Sequence, residues 1–177
     1  MSYERYIYSP NPQVPSLQAM REALQTRGWA AHFIQADEEA ETFTEMTEGD
    51  PGDATSVFLW PIGAPEATAL DDMLSHRDYD GFMDAYEDAQ YGGCVVWPSP
   101  FTFSEEYSDD ELRDLHEYRS EAQIDAMRQA RMHYTLRNGG FMLDTDLAVQ
   151  GVLWLAVGEL VGGFLEDDQI GQILLSH

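Results

Sequence analysis

The sequence predicts a single α+β domain over residues 1–177, built on a mainly antiparallel sheet. Three observations predict it. Short aromatic and β-branched runs recur along the chain. Longer stretches with helical apolar spacing separate them. Proline, glycine and acidic clusters punctuate the joins. The resulting order, β-α-β-β-α-β-α-α-β, begins as a ferredoxin-like βαββαβ core, which two C-terminal helices and a last strand extend. With 177 residues and 44% hydrophobic content, the chain can bury a core of its own.

Each element has its own warrant. Tyr3 to Tyr8 reads as the first strand, stopped by "SPNPQVP". Ser16 caps a helix whose apolar stripe is Leu17, Met20 and Leu24, and Gly28 ends it. Trp29 to Gln35 is the second strand. Residues 37–53 then carry eight acids and no base, which predicts a long solvated connection, partly helical. Ser56 to Trp60 and Cys94 to Trp97 are strands three and four; in each an apolar run leads into Trp-Pro, where a missing N–H marks the strand end. Between them a helical region starts near Glu66 and breaks near His76 to Gly81. Ser108 and Glu111 form a capping-box pattern, so a long helix is expected from Asp109 to Arg137, ended by "NGG". A nearly all-apolar helix from Asp146 to Val161 should be central, and Gly162–Gly163 should end it before a last strand or short hairpin.

Charge is the strongest compositional signal. There are 33 acidic residues against 9 basic ones, a net −24, and all nine basic residues are arginine. Without lysine the chain has no Schiff-base amine, no phosphate-loop lysine and no lysine base. Nucleic acid is excluded as a partner, because phosphate binding needs a basic surface. A field this negative attracts a basic protein and speeds its encounter. The plainer explanation is solubility, or a salt-adapted host. The single cysteine, Cys94, cannot form an intrachain disulfide, which suits a reducing, cytoplasmic setting. The N-terminal residues do not resemble a signal peptide. Leu147 to Leu165 is interrupted by Gln150, Glu159 and four glycines, so it reads as a buried helix and not a membrane span.

Four candidate sites weigh less than their structural alternatives. Residues 76–87 place Asp78, Asp80, Gly81, Asp84 and Glu87 on the spacing of a calcium loop, but His76 stands where the first carboxylate belongs. An Asp-rich turn between two helices explains the stretch as well. "HEYRS" at 116–120 has Ser120 where a zinc helix needs its second histidine. Cys94 opens an apolar strand and reads as buried, with no base assigned to it from His32 or His133. Glu159 lies in an apolar helix; it is either a buried acid–base group or a surface residue paired with an arginine such as Arg128 or Arg131. No metal ligand set and no cofactor motif emerges.

The acidic clusters carry the stronger expectation. In the first, Phe43 is set among Asp37, Glu38, Glu39, Glu41, Glu45 and Glu48. In the second, Phe101, Phe103 and Tyr107 precede or interleave with Glu105, Glu106, Asp109 and Asp110. Aromatic anchors inside a charged rim are what a protein interface uses, although such rings also pack loops onto a core. The function expected is therefore an acidic binding or inhibitor protein that neutralises a basic partner. Its concrete form is an immunity protein that blocks a bacterial toxin. Two alternatives remain: a small enzyme or ligand-binding domain with a site at the Pro-rich strand-end loops, and a DNA-mimic inhibitor of a nucleic-acid-binding protein. The absence of a catalytic motif counts against the enzyme.

Overall fold

The computed structural model of the chain describes residues 3–37, 39–52, 54–138, 144–167 and 171–175, with backbone alone at 144, 146 and 171–175. Among the described residues are eight strands: β1 (Glu4–Ser9), β2 (Trp29–Asp37), β3 (Thr42–Met46), β4 (Thr55–Pro61), β5 (Gly93–Pro100), β6 (Met132–Asn138), β7 (Gly163–Asp167) and β8 (Gly171–Leu175). They form one antiparallel sheet in the order β3-β2-β4-β5-β6-β1-β7-β8. The helices are α1 (Leu17–Thr26), α2 (Ala67–Ser75), α3 (Tyr79–Asp88), α4 (Phe103–Glu106), α5 (Asp109–Tyr118), α6 (Glu121–Gln129) and α7 (Asp144–Val161).

The α+β class and the antiparallel sheet match the sequence reading. The ferredoxin-like βαββαβ core does not describe the sheet. β1 lies between β6 and β7 and runs antiparallel to both. The partner of β1 comes from residues 132–138, inside the stretch expected to be one long helix. That stretch divides because Ser120 makes a second capping box with Gln123, which starts α6 as a separate helix. Ala130 is then extended, and Met132, Tyr134 and Leu136 alternate with His133, Thr135 and Arg137. The acidic connection likewise holds a strand, β3, hydrogen-bonded to β2 in a hairpin. β5 runs on through Pro98 to Pro100; beyond Val96 it pairs only with β6, so a missing N–H is tolerated there.

The remaining elements follow the sequence closely. Ser16 accepts a hydrogen bond from the Ala19 N–H at 3.1 Å to start α1, and Gly28 leaves it at φ +89°. α7 ends at Gly162, and Gly163 begins β7 at φ +104°, where an added Cβ would lie 2.1 Å from the Tyr8 carbonyl oxygen. Among the described residues no helix is long and apolar enough to cross a membrane.

Alternation along the strands creates two unlike faces. Ile7, Phe33, Val57, Leu59, Val96, Tyr134 and Leu165 point to the first face, where α1 and α7 bury Leu24, Leu153 and Val157 against them. The second face bears two separate clusters. Ile34 and Trp60 pack under α2 and α3 through Leu70, Leu74, Phe82 and Tyr86. Tyr8 and Phe164 pack under α4–α6 through Phe101, Leu115, Ile124 and Met127. At the free edge, the Glu45 N–H of β3 points away from β2 and donates to the Tyr79 hydroxyl at 3.2 Å.

Candidate partner-binding face

The second face is laid out as a floor between two walls. The walls are α2–α3, over β2 and β4, and α4–α6, over β1 and β7. From β4 to β1 there are three strand spacings, about 14 Å. Across that span the register aligns side chains in rows: Ser56, Val95, Arg137 and Glu4 in one, and Trp97, Thr135, Tyr6 and Glu166 in the next. A third row sets His133 beside Tyr8 and Phe164. In the central strands Val95, Trp97, Thr135, Tyr6 and Glu4 are half-buried.

Polar contacts fix the floor. The Arg137 guanidinium lies 5.0 Å from the centre of the Trp97 ring and donates to Glu4. The Tyr6 hydroxyl donates to the other Glu4 oxygen at 2.5 Å. The Tyr6 hydrogen bond, together with Arg137, holds the Glu4 carboxyl below the ordinary range, against the opposing effect of burial. His133 is stacked between Tyr6 and Tyr8, with ring centres at 5.3 and 4.7 Å. Burial pulls its imidazole down to about 4, and Nε2 has no hydrogen-bond partner among the described residues. Beside it, Arg119 at the end of α5 donates to both oxygens of Glu166 at 2.6 Å. Burial opposes the Arg119 charge, and Glu166 more than offsets that, raising its pKa. Burial raises Tyr8 and Tyr107 as well, so both phenols stay neutral.

The walls carry most of the helical acid. Asp71 and Asp72 on α2, and Asp80, Asp84, Glu87 and Asp88 on α3, are all exposed. Opposite them stand Glu105 and Glu106 on α4, Asp109, Asp110, Glu111, Asp114 and Glu117 on α5, and Glu121 and Asp125 on α6, also exposed. On the first face, α1 carries Glu22 alone, with Arg21 beside it, and α7 carries Asp144, Asp146 and Glu159. The surplus negative charge of the helices is thus concentrated on one side of the sheet.

The residues expected to bind a partner divide over this face. Asp37, Glu39 and Glu41 lie at the turn of the β2–β3 hairpin, where Asp37 Oδ1 accepts the N–H groups of Glu39 and Ala40 at 3.1 Å each. Phe43 is half-buried against Tyr79, with ring centres 6.1 Å apart. Glu45 contacts His32 Nδ1 at 2.5 Å, while His32 Nε2 lies 3.2 Å from Asp71 and the ring stacks on Trp60. Glu48 sits in the segment that turns toward the first face, where the Gly49 carbonyl caps the Leu17 N–H. Glu38 lies outside the described residues. In the second cluster, Glu105, Glu106, Asp109 and Asp110 are exposed, but Phe101 is core: it is 8% exposed and meets Tyr8 edge-on. Phe103 and Tyr107 are half-buried and pack on each other at 5.1 Å. The two clusters therefore belong to opposite walls and do not merge into one patch. The rings that line the floor are Trp97 and Tyr6. Their signal is the alternation in "GCVVWPSP" and "ERYIYS", which sends Trp97 to the face opposite Cys94 and Val96, and Tyr6 to the face opposite Ile7.

The other candidates resolve as structure. Asp78 caps α3 by accepting the Gly81 N–H at 3.0 Å, and an added Cβ at Gly81 would collide with that carboxylate. No group of three or more His, Cys, Asp or Glu side chains able to hold a metal occurs among the described residues. His116 is exposed on α5, 3.0 Å from Glu121. Cys94 is buried on the first face, across the sheet from both His32 and His133. Glu159 is an exposed residue of α7 and pairs with Arg27 of α1, not with Arg128 or Arg131. The segments after β1 and β5 leave the same end of the strands, where the Arg131 N–H donates to the Ser9 carbonyl and its carbonyl accepts from the Phe101 N–H, while the segment after β4 leaves the opposite end. No protein-family model, curated protein or solved structure matches the chain.

Proposed function

We propose that this protein is an acidic binding protein that neutralises a cationic protein partner, seating it across the second face of the sheet. An immunity protein that blocks a bacterial toxin in the cytoplasm is the concrete form of that function. The observation that carries it is the one-sided placement of the helical carboxylates around a half-buried aromatic floor. Charges on two opposing walls add at the space between them, so an approaching cationic loop is steered toward the floor. Trp97 and Tyr6 then offer flat rings to lysine or arginine side chains, as Trp97 already does to Arg137. The hydrogen-bonded floor is pre-organised, which lowers the entropy lost on docking.

An enzyme is not favoured, because the three Pro-rich loops that would form its site do not all meet: those after β1 and β5 share one end of the strands and that after β4 leaves the other. The test uses pull-down from lysate of the source organism with three proteins: wild type, a wall variant (Asp84→Lys, Asp110→Lys, Asp114→Lys) and a first-face variant (Glu22→Lys, Glu159→Lys). The proposal expects a basic protein held by wild type and by the first-face variant and lost from the wall variant. Its association rate should fall ten-fold or more, on the order expected for steered encounters, as salt is raised. A partner retained equally by all three proteins, or held without salt dependence, overturns the proposal.

A further inference from the structure

Arginine is scarce here and almost always engaged. Arg5, Arg27, Arg113, Arg119, Arg128 and Arg137 each pair with a carboxylate. Arg21 donates to the Ala31 carbonyl and the Gln18 side chain. With 33 acidic residues against nine arginines, an unengaged guanidinium is the exception. Arg131 is one: among the described residues its side chain makes no ion pair and no hydrogen bond. It is exposed, while its backbone is fixed between strands, its N–H donating to the Ser9 carbonyl at 2.7 Å and its carbonyl accepting from the Phe101 N–H at 3.0 Å.

Arg131 lines a cleft of about 430 Å³ together with Arg128, Thr102, Ser104, Phe101 and Phe103. Arg128 is braced in that wall. It lies 5.6 Å from the Phe103 ring centre and is held by Asp125 at 3.2 Å, a contact that leaves most of its donors unused. The cleft thus brings together two arginines, a threonine, a serine and two phenylalanines, and no acidic residue lines it. In a chain this acidic, that is a local inversion of charge. We propose that this cleft binds a small phosphomonoester, with Arg131 and Arg128 gripping the phosphate dianion and the Thr102 and Ser104 hydroxyls donating to its remaining oxygens.

The donor set favours phosphate over carboxylate. Guanidinium forks match the tetrahedral dianion, and its three terminal oxygens accept more donors than a carboxylate can. The volume also exceeds what a free inorganic ion fills and lies in the range of small-molecule sites. The cleft shares the α4–α6 wall with the proposed partner-binding face but uses none of the floor residues Glu4, Tyr6, Trp97 and Arg137.

The probes are AMP, pyrophosphate and adenosine, applied to the full chain by equilibrium dialysis at physiological salt. AMP and pyrophosphate should bind saturably at one per chain, and adenosine should not. Arg131→Gln and Arg128→Gln should each weaken AMP binding about ten-fold or more, because each removes a charge-assisted contact. Arg77→Gln, which alters an exposed arginine lining a different cleft, should leave binding unchanged. Circular dichroism should show all three variants folded, as these side chains are exposed. Three results would each overturn the proposal. They are no saturable binding of AMP or pyrophosphate up to about 10 mM, adenosine binding as tightly as AMP, and binding unaffected by Arg131→Gln or lost equally in Arg77→Gln.

Discussion

Replacing Arg119 by methionine should strip the α4–α6 wall of its main electrostatic attachment to the sheet. Arg119 ends α5 and donates from one nitrogen to both oxygens of Glu166, a β7 residue, at 2.6 Å. The side chains are 15% and 10% exposed, so neither charge is well hydrated. Removing one member of a buried pair leaves the other as an uncompensated charge, at about 3–5 kcal/mol. The residual water contact of Glu166 places the expectation at the low end, near 3 kcal/mol. In urea, with a slope of about 2 kcal/mol/M, the midpoint should fall by about 1.5 M. The double variant Arg119→Met, Glu166→Gln removes both charges and should recover most of that loss, giving a coupling of about 2 kcal/mol. Urea denaturation of the four proteins of the cycle measures it. A single-variant shift under about 0.3 M, or a double variant no more stable than Arg119→Met, refutes the attachment.

Three further outcomes follow from the geometry. His133 is held neutral in the fold down to about 4, whereas unfolded histidine titrates near 6.5. The unfolded chain therefore takes up a proton that the native one refuses. Stability should be lost progressively as pH falls from 6.5 to about 4, by up to about 3 kcal/mol. Comparing urea midpoints of wild type and His133→Gln at each pH isolates this slope, and parallel curves refute it. Gly163→Ala sets a Cβ against the Tyr8 carbonyl at an unfavourable φ, so it should lower stability by more than about 2 kcal/mol in thermal melts. Ser120→Ala removes the cap that separates α6 from α5 and should cost about 1 kcal/mol, with faster amide exchange confined to the first turn of α6.

Local signals were legible where one physical cause decided the outcome. Ser16, Ser108 and Gly28 marked helix ends because capping and positive φ are read from single residues. The apolar helix α7 announced itself by composition, but it covers one face of the sheet instead of lying at the centre, and Leu155 and Leu160 stay exposed. What stayed hidden was decided by pairing at long range. Residues 132–138 follow directly on a helical stretch, and their strand character depends on β1 and β5, distant in sequence. The place of β1 depends on the same pairing. The acidic connection looked solvated because charge dominates it, yet Thr42, Phe43, Thr44 and Met46 suffice to pair with β2. At the partner-binding face, the walls were visible as runs of Asp and Glu. The floor was not, since Glu4, Tyr6, Trp97 and Arg137 meet only through cross-strand register. Phe101 shows the converse error: an aromatic beside acids became core, because three helices cover it.

The hydroxyl of Tyr79 occupies an outward backbone donor of β3, the strand that ends the sheet on that side. An unguarded row of such donors would offer neighbouring molecules a template for edge-to-edge growth into fibrils. One phenol at the corner of α3 thus acts as a stopper, and Tyr79→Phe should leave the monomer folded yet raise its propensity to polymerise, visible as growing light scattering at high protein concentration.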